Sequence, residues 1–185
     1  KKKGVKVSAD LNYRKKLWSP EKANQVMSKL MEYVDVSIGN EEDAEKVFGI
    51  KAAASDVTTG QLNEEGYREV AKQLADRFGL EKVAITLRES LSASDNNWSA
   101  LLYDGQNFYR SRTYKIHIVD RVGGGDSFAG GLIYSLLNGK SSAEALEFAV
   151  AASCLKHSIF GDFNLVSVAE VETLAQGDAS GRVQR

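Results

Sequence analysis

Three consecutive glycines followed by an aspartate form the segment of this sequence best able to do chemistry. Gly123, Gly124 and Gly125 lie between a predicted strand and a predicted helix, and Asp126 opens that helix. Glycine lets backbone N–H groups approach a ligand with no Cβ in the way, and the first turn of a helix adds unpaired N–H donors. Such a turn binds an oxyanion, most often phosphate. A carboxylate beside it could take a proton from a hydroxyl while the amides stabilise a transferring phosphoryl group.

Taken by itself, the triple glycine also has a purely structural interpretation. The glycines would then form a tight turn between strand and helix, and Asp126 would cap the helix. Short glycine motifs match many sequences by chance. The segment is neither a Walker A loop, which requires Gly-Lys-Ser/Thr after four spacer residues, nor a Rossmann fingerprint. Its interpretation therefore depends on the residues around it.

The surrounding residues favour the chemical interpretation. Asp120 opens the pattern Asp-x-x-Gly-Gly-Gly-Asp, and Phe-Ala-Gly-Gly-Leu follows at residues 128–132. The whole pattern strongly resembles the second signature of the ribokinase (PfkB-type) family of carbohydrate kinases. That resemblance implies that the three glycines form an anion hole, with Gly123 and Gly125 also contacting ATP, and that Asp126 is the catalytic base. Arg121 departs from the family, which usually has a small residue or a proline at this position.

A second stretch near the start of the chain points to the substrate. Asp10-Leu11-Asn12-Tyr13-Arg14, followed by Leu17-Trp18, resembles the family's Asp-x-Asn-x-Arg segment after a central strand. Ligands bind at strand ends in open α/β sheets, and an arginine there can hold a carboxylate by a bidentate pair. In the family's 2-keto-3-deoxygluconate kinases this arginine contacts the sugar-acid carboxylate, so the resemblance implies the same role for Arg14. The alternative is a surface ion pair between Arg14 and Asp10.

The stretch Ile38–Asp43 resembles the family's Asn-x-x-Glu motif, which helps to organise Mg²⁺ and the ATP phosphates, largely through water. The resemblance implies that Asn40 contacts the nucleotide and that Asn40 and Asp43 hold Mg²⁺ through water. Asp43 stands where the family has glutamate, but Mg²⁺ keeps much of its water shell, so a shorter carboxylate could serve. Glu42 could also take its place. An asparagine followed by an acid three residues later is equally a good helix cap, and the two roles are compatible.

Two further turns are implied to face the ligands. Thr86 and Arg88 follow a buried strand at the place where relatives contact the nucleotide. Phe160-Gly161-Asp162-Phe163-Asn164 resembles the turn that closes the nucleotide site, which implies a cofactor contact for Gly161. The Gly-Asp-Phe-Asn form looks specific to the keto-deoxygluconate branch, where the aspartate reaches the substrate. For Asp162 the alternative is an ordinary turn residue.

Composition limits the classes of function that remain. The chain has 185 residues and a net charge of −1, which gives no general attraction for nucleic acid or anionic membranes. Cys154 is the only cysteine, so an internal disulfide is excluded and a reducing, cytoplasmic compartment is expected. No apolar stretch approaches the ~20 residues of a membrane span. His117 and His157 lack the spacing of a metal pair.

The periodicity of the chain predicts how these motifs are positioned. Strands alternate with helices and a helical end follows, which favours a three-layer α/β/α domain with a largely parallel central sheet, ribokinase-like by resemblance. Helices are predicted to open at Ser19, Asn40, Ser141 and Ser167. The polar stretch at residues 89–97 is expected to be a long loop. The domain is expected to cover residues 1–176, with a polar tail at 177–185.

Motifs in family order extend from Asp10 to about Glu170. They imply an ATP- and Mg²⁺-dependent kinase that phosphorylates the C6 hydroxyl of 2-keto-3-deoxygluconate, with Asp126 also contacting the substrate. Alternatives are the same chemistry on fructose or ribose, or a non-catalytic nucleotide-binding module. The family's N-terminal half and its β-sheet lid, a possible homo-oligomer contact, have no counterpart in the sequence. Upstream sequence is therefore expected to be missing.

Overall fold

The computed structural model describes residues 3–51 and 64–177, and these residues form an α/β fold. The chain divides into two compact units, each described below by itself. Unit 1 comprises Lys1–Glu89 and Ala100–Arg110, and unit 2 comprises Ser90–Ser99 and Ser111–Arg185. The strands are β1 Ser8–Asp10, β2 Val36–Asn40, β3 Lys82–Ser90, β4 Asp95–Tyr103, β5 Phe108–Arg110 and β6 Tyr114–His117. The helices are α1 Pro20–Met31, α2 Glu41–Phe48, α3 Glu64–Phe78, α4 Gly124–Leu137, α5 Ser142–Lys156 and α6 Val168–Ala175.

Unit 1 contains the parallel strands that the sequence predicts. β1 pairs with β2 and β2 with β3, both parallel, so that Ile38 lies opposite Asp10 and Ala84. Helices connect these strands, as parallel pairing requires. The last residues of β4 pair antiparallel with β5. Apolar residues of the strands and of α1, α2 and α3 form one core, which includes Met31, Val47, Val70, Leu74, Val83 and Leu87.

The two helix starts predicted in unit 1, at Ser19 and Asn40, are confirmed. Ser19 caps α1 by accepting from Lys22 N–H at 3.3 Å, and Pro20 occupies the first turn. Gly79 follows α3 with φ 65°, the left-handed conformation that glycine adopts without strain.

Unit 2 consists of α4, α5 and α6 together with an antiparallel pair. Residues 95–98 of β4 pair with β6, which places Trp98 opposite Tyr114. A Cβ on Gly131 of α4 would come within 3.1 Å of Cα of Ala149 on α5, so glycine allows these two helices to approach closely. Ser141 and Ser167 cap α5 and α6 in reciprocal capping boxes, as predicted. Within the described ranges, no helix has the length and apolar character needed to cross a membrane.

The prediction of a long loop at residues 89–97 is wrong. β3 continues to Ser90 and β4 begins at Asp95, so only residues 91–94 form a turn. Ser92 Oγ accepts from the Asp95 N–H at 2.9 Å and closes this turn. Asn96 is fully buried and lies opposite Ile116 of β6. Polar composition suggests a loop, but pairing with a strand some 20 residues later overrides local preference.

The predicted tail cannot be compared with the structure beyond Gly177, because residues 178–185 lie outside the described residues.

Candidate active site

The three glycines of the glycine-rich turn in unit 2 have different structural roles. Gly123 has φ 80°, and a Cβ on it would lie 2.2 Å from the carbonyl oxygen of Asp162. Gly124 is buried, and a Cβ there would lie 2.7 Å from Cε1 of the His157 ring. Gly125 has no neighbouring atom within 4 Å of such a Cβ. The first two glycines are therefore required by packing, whereas Gly125 borders open space.

The first turn of α4 presents N–H donors beside this open space. Gly123 is the N-cap residue, and no side chain caps the helix. Helix geometry leaves the amides of Gly125 and Asp126 without an intrahelical acceptor, while Ser127 N–H already donates to the Gly123 carbonyl at 2.9 Å. Free amides and the positive end of a helix of 14 residues together favour an anion.

The Asp126 carboxylate is exposed and lies beside these amides. It lines a groove of about 390 Å³ within unit 2, together with Asp162. Apolar residues also line the groove, among them Phe148, Val166 and Val171. The groove therefore offers acidic groups at the anion site and an apolar surface next to it.

Asp120 joins the glycine-rich turn to the turn at Gly161, a role that the sequence analysis missed. One carboxylate oxygen accepts from Val122 N–H at 3.0 Å and the other from Gly161 N–H at 2.9 Å. These two amides, with the one at Val122 contributing most, lower the pKa of Asp120. In the sequence, this role was indicated only by the position of Asp120 as the first residue of the pattern Asp-x-x-Gly-Gly-Gly-Asp.

We expect Asp120→Asn to loosen the Gly161 turn and to weaken anion binding at the neighbouring glycine-rich turn by about three- to tenfold, since an amide side chain can accept only one of the two bonds. Hydrogen exchange at the Gly161 amide should speed up, because this amide depends on the carboxylate. Because folding lowers the pKa of Asp120, its contribution is present above pH 3.8 and is lost as pH falls through the lowered value. Unchanged exchange at Gly161 would contradict this assignment. Ser158→Ala, three residues before Gly161, is the control, because the Ser158 hydroxyl donates to the Leu155 carbonyl and not to this turn.

Arg121, the departure from the family pattern, points away from the anion site. Its Nη2 donates to the carbonyl of Ala93 at 2.6 Å in the turn between β3 and β4. The longer side chain therefore finds a partner in the hairpin and leaves the glycine-rich turn unobstructed.

His157 and Asp162 form the base of the glycine-rich turn. The His157 carbonyl accepts from the N–H groups of Val119 and Asp120, at 2.8 and 3.2 Å. The His157 ring is buried, donates from Nδ1 to the Ser153 carbonyl at 2.6 Å and packs at a tilt against Trp98, with ring centroids 4.9 Å apart. The histidine that sequence spacing excluded as a metal ligand thus shapes the turn. Asp162 places its backbone against Gly123 and its side chain is exposed.

Unit 1 holds the remaining predicted residues, and Asp43 organises them. Its Oδ1 accepts from Tyr13 N–H at 2.9 Å and its Oδ2 from Asn40 N–H at 3.1 Å. These bonds tie the loop after β1 to the start of α2. Burial raises the pKa of Asp43, against the lowering effects of the Asn40 and Tyr13 amides and of Arg14. Arg14 itself is exposed, and its Nη1 donates to the Tyr13 carbonyl at 3.1 Å.

Thr86 and Arg88 lie on β3 of unit 1. Thr86 is directly opposite Asn40 in the parallel register, and its hydroxyl donates to the Gly39 carbonyl at 3.4 Å. Arg88 is exposed two residues further along the strand. The parallel register thus brings Thr86 to the end of β2, where α2 begins.

The donors at Asn40 and Asp43 fit Mg²⁺ only through water. Asn40 Oδ1 already accepts from Asp43 N–H at 2.9 Å, and both Asp43 oxygens accept from backbone amides. No group of three His, Cys, Asp or Glu side chains suited to a metal ion occurs in the parts of the chain that the structure describes. Each oxygen keeps a lone pair that can bind water, as Mg²⁺ sites commonly require.

Known proteins resemble the chain over most of its length. Residues 1–163 match the pfkB family carbohydrate kinase domain. A 2-dehydro-3-deoxygalactonokinase of Haloferax volcanii is 30% identical, covering 96% of this chain and 49% of that protein. The structure of a 2-dehydro-3-deoxygluconokinase of Thermotoga maritima is 52% identical with a TM-score of 0.88, covering 95% of this chain and 51% of that one.

A more distant structure, a ribokinase II of E. coli in complex with ATP and Mg²⁺, is 19% identical with a TM-score of 0.68 over 95% of this chain and 50% of that one. It shares the ribokinase-like α/β fold. The chain spans about half the length of the relatives that it matches.

Proposed function

The chain belongs to the pfkB family of carbohydrate kinases, and from that premise we propose that it carries the phosphoryl-transfer site of an ATP-dependent kinase for 2-keto-3-deoxygluconate. The observation that supports transfer most directly is the exposed Asp126 carboxylate beside the free amides of a glycine-rich turn. The choice of a sugar acid rests on Arg14, on Asp162, and on the name of the relative that is 52% identical.

In the proposed reaction, the C6 hydroxyl oxygen of the sugar acid attacks the γ-phosphorus of ATP in line with the bond to the β-phosphate. The new O–P bond forms as the old one breaks, which gives the 6-phosphate and ADP. Asp126 accepts the hydroxyl proton, and the Gly125 and Asp126 amides stabilise charge on the transferring group. Mg²⁺, when bound, neutralises phosphate charge, and Asn40 and Asp43 would hold it through water. Arg14 binds the substrate carboxylate, and Asp162 accepts a hydrogen bond from a sugar hydroxyl.

The test is ADP release by the full-length enzyme with Mg-ATP and a panel of acceptors. The panel contains 2-keto-3-deoxygluconate, its C4 epimer 2-keto-3-deoxygalactonate, fructose and ribose, because a relative named for the galactonate is 30% identical. Preference for either acid supports the carboxylate role of Arg14. Preference for a neutral sugar would leave the proposed roles of Asp126 and the anion site intact but contradict the carboxylate role of Arg14. No turnover with any acceptor would favour a nucleotide-binding module.

We expect Arg14→Gln to raise the KM for the sugar acid by about 10- to 100-fold, since a charge-assisted bidentate pair is lost. The KM for ATP and the kcat at saturating substrate should change little, because the carboxylate is remote from the transferred group. Steady-state kinetics with both substrates measure this split. Lys15→Gln removes the same charge from the neighbouring exposed position and serves as the control. If the KM for the sugar acid rose equally in both variants, Arg14 would contribute only through its positive charge and not through a specific pair with the carboxylate.

A further inference from the structure

Lys156, the last residue of α5, is a buried cation that the proposed reaction does not use. Its side chain is fully buried, with 0% of its surface exposed. Lysine is almost never buried to this extent without a partner. Its Nζ donates to the Ile159 carbonyl at 3.1 Å, and it forms no salt bridge with a carboxylate in the described part of unit 2. A buried ammonium of this kind requires negative charge from elsewhere.

The Lys156 side chain lies directly beneath the glycine-rich turn. A Cβ built on Gly123 would come within 3.2 Å of Cε of Lys156. The next residue, His157, lies against Gly124, so the end of α5 forms the floor of the anion site. The positive charge of Lys156 acts on Asp120, whose two oxygens are held by the Val122 and Gly161 amides. An anion bound at the glycine-rich turn would add negative charge close to the ammonium.

We propose that Lys156 is a positioning residue for phosphoryl transfer, a fixed positive charge beneath the turn that strengthens its hold on the phosphate chain. This proposal rests on the proposed kinase function. A charge set in a buried site acts more strongly than one in water and needs no rearrangement during the reaction. By donating to the Ile159 carbonyl, the ammonium also holds the chain that leads to Gly161, the residue bonded to Asp120.

The first experiment compares the binding of ATP, ADP and adenosine by calorimetry in wild type and Lys156→Met. Methionine keeps similar length but removes the charge. We expect ATP affinity to fall by about 10- to 100-fold, ADP affinity less, and adenosine affinity hardly at all. A purely structural role would weaken all three equally, and that result would overturn the proposal. Lys140→Met, which removes a lysine ion-paired with Glu172 at 2.9 Å, is the matched control.

The second experiment separates loss of the positive charge from misfolding. Its outcome does not depend on whether the proposed kinase function is correct. Lys156→Ala is assayed with and without propylammonium, which can restore the missing charge in the space left by the side chain. We expect the added amine to recover ATP binding several-fold, and uncharged propanol to recover none. Lys156→Gln, which keeps a donor for Ile159 without the charge, covers the case in which Met is not tolerated. Equal recovery with amine and propanol, or no loss in either variant, would overturn the proposal. Because these readouts measure binding, they remain decisive even if no sugar acid is phosphorylated.

Discussion

Asp126→Asn is expected to lower the kcat of the full-length enzyme by about 10²–10⁴-fold, the largest effect on activity among the substitutions considered. The amide is nearly the same size as the carboxylate, so the groove and the first turn of α4 should be unchanged. It cannot accept the hydroxyl proton, and the attacking oxygen then remains a poor nucleophile.

The affinity of Asp126→Asn for nucleotide shows whether the substitution removes only the base or also disrupts the binding site. Removing a negative charge beside an anion site cannot weaken phosphate binding electrostatically, so the Kd for Mg-ATP should stay the same or decrease slightly. Asp162→Asn provides the comparison within the same groove, because we expect it to raise the KM for the sugar acid with a smaller change in kcat. Single-turnover rates measure the chemical step directly. If Asp126→Asn retained more than about a tenth of the wild-type rate, the base would have to be another group.

Local sequence signals predicted the elements that position the site, because each depends on residues close together in the chain. Ser19, Asn40, Ser141 and Ser167 all cap helices as expected, since a cap needs only the amides two or three residues ahead. The parallel strands of unit 1 follow from apolar runs separated by helices. The site residues Gly123, Asp126 and Asp162 could be singled out only by resemblance to a family, because spacing alone left a simple turn as an alternative.

Interactions between distant residues were out of reach of the same reasoning. Lys156 looks like an ordinary basic residue at the end of a helix, and only its place beneath Gly123, 33 positions earlier in the sequence, makes it unusual. Asp120 was visible within the motif, but its bond to Gly161 depends on the fold. Asp43 shows that a capping residue can also anchor a loop, since its second oxygen accepts from Tyr13. In each case the partner is set by tertiary packing, which single-sequence patterns do not encode.

Gly123→Ala is expected to cost about 2–5 kcal/mol of folding stability, the sum of a strained left-handed backbone and an overpacked contact. The added methyl would meet the Asp162 carbonyl oxygen at 2.2 Å. Because that oxygen belongs to the backbone, no side-chain rotation can relieve the contact, and the turn at residues 161–164 must move. Urea denaturation measures the cost, and ATP affinity should fall together with stability.

Gly125→Ala is the matched control, because it adds the same methyl group two residues away. Apart from the neighbouring backbone of α4 itself, no atom lies within 4 Å of the new Cβ, and alanine favours a helix more than glycine does. Stability should therefore stay the same or increase by up to about 1 kcal/mol, whereas ATP should bind more weakly, since the methyl group enters the space left for the phosphate. The two glycines have different roles if Gly123→Ala is less stable even without a ligand, while Gly125→Ala stays stable but binds ATP more weakly. If both variants were equally stable, the close contact between Gly123 and Asp162 could not be present in solution.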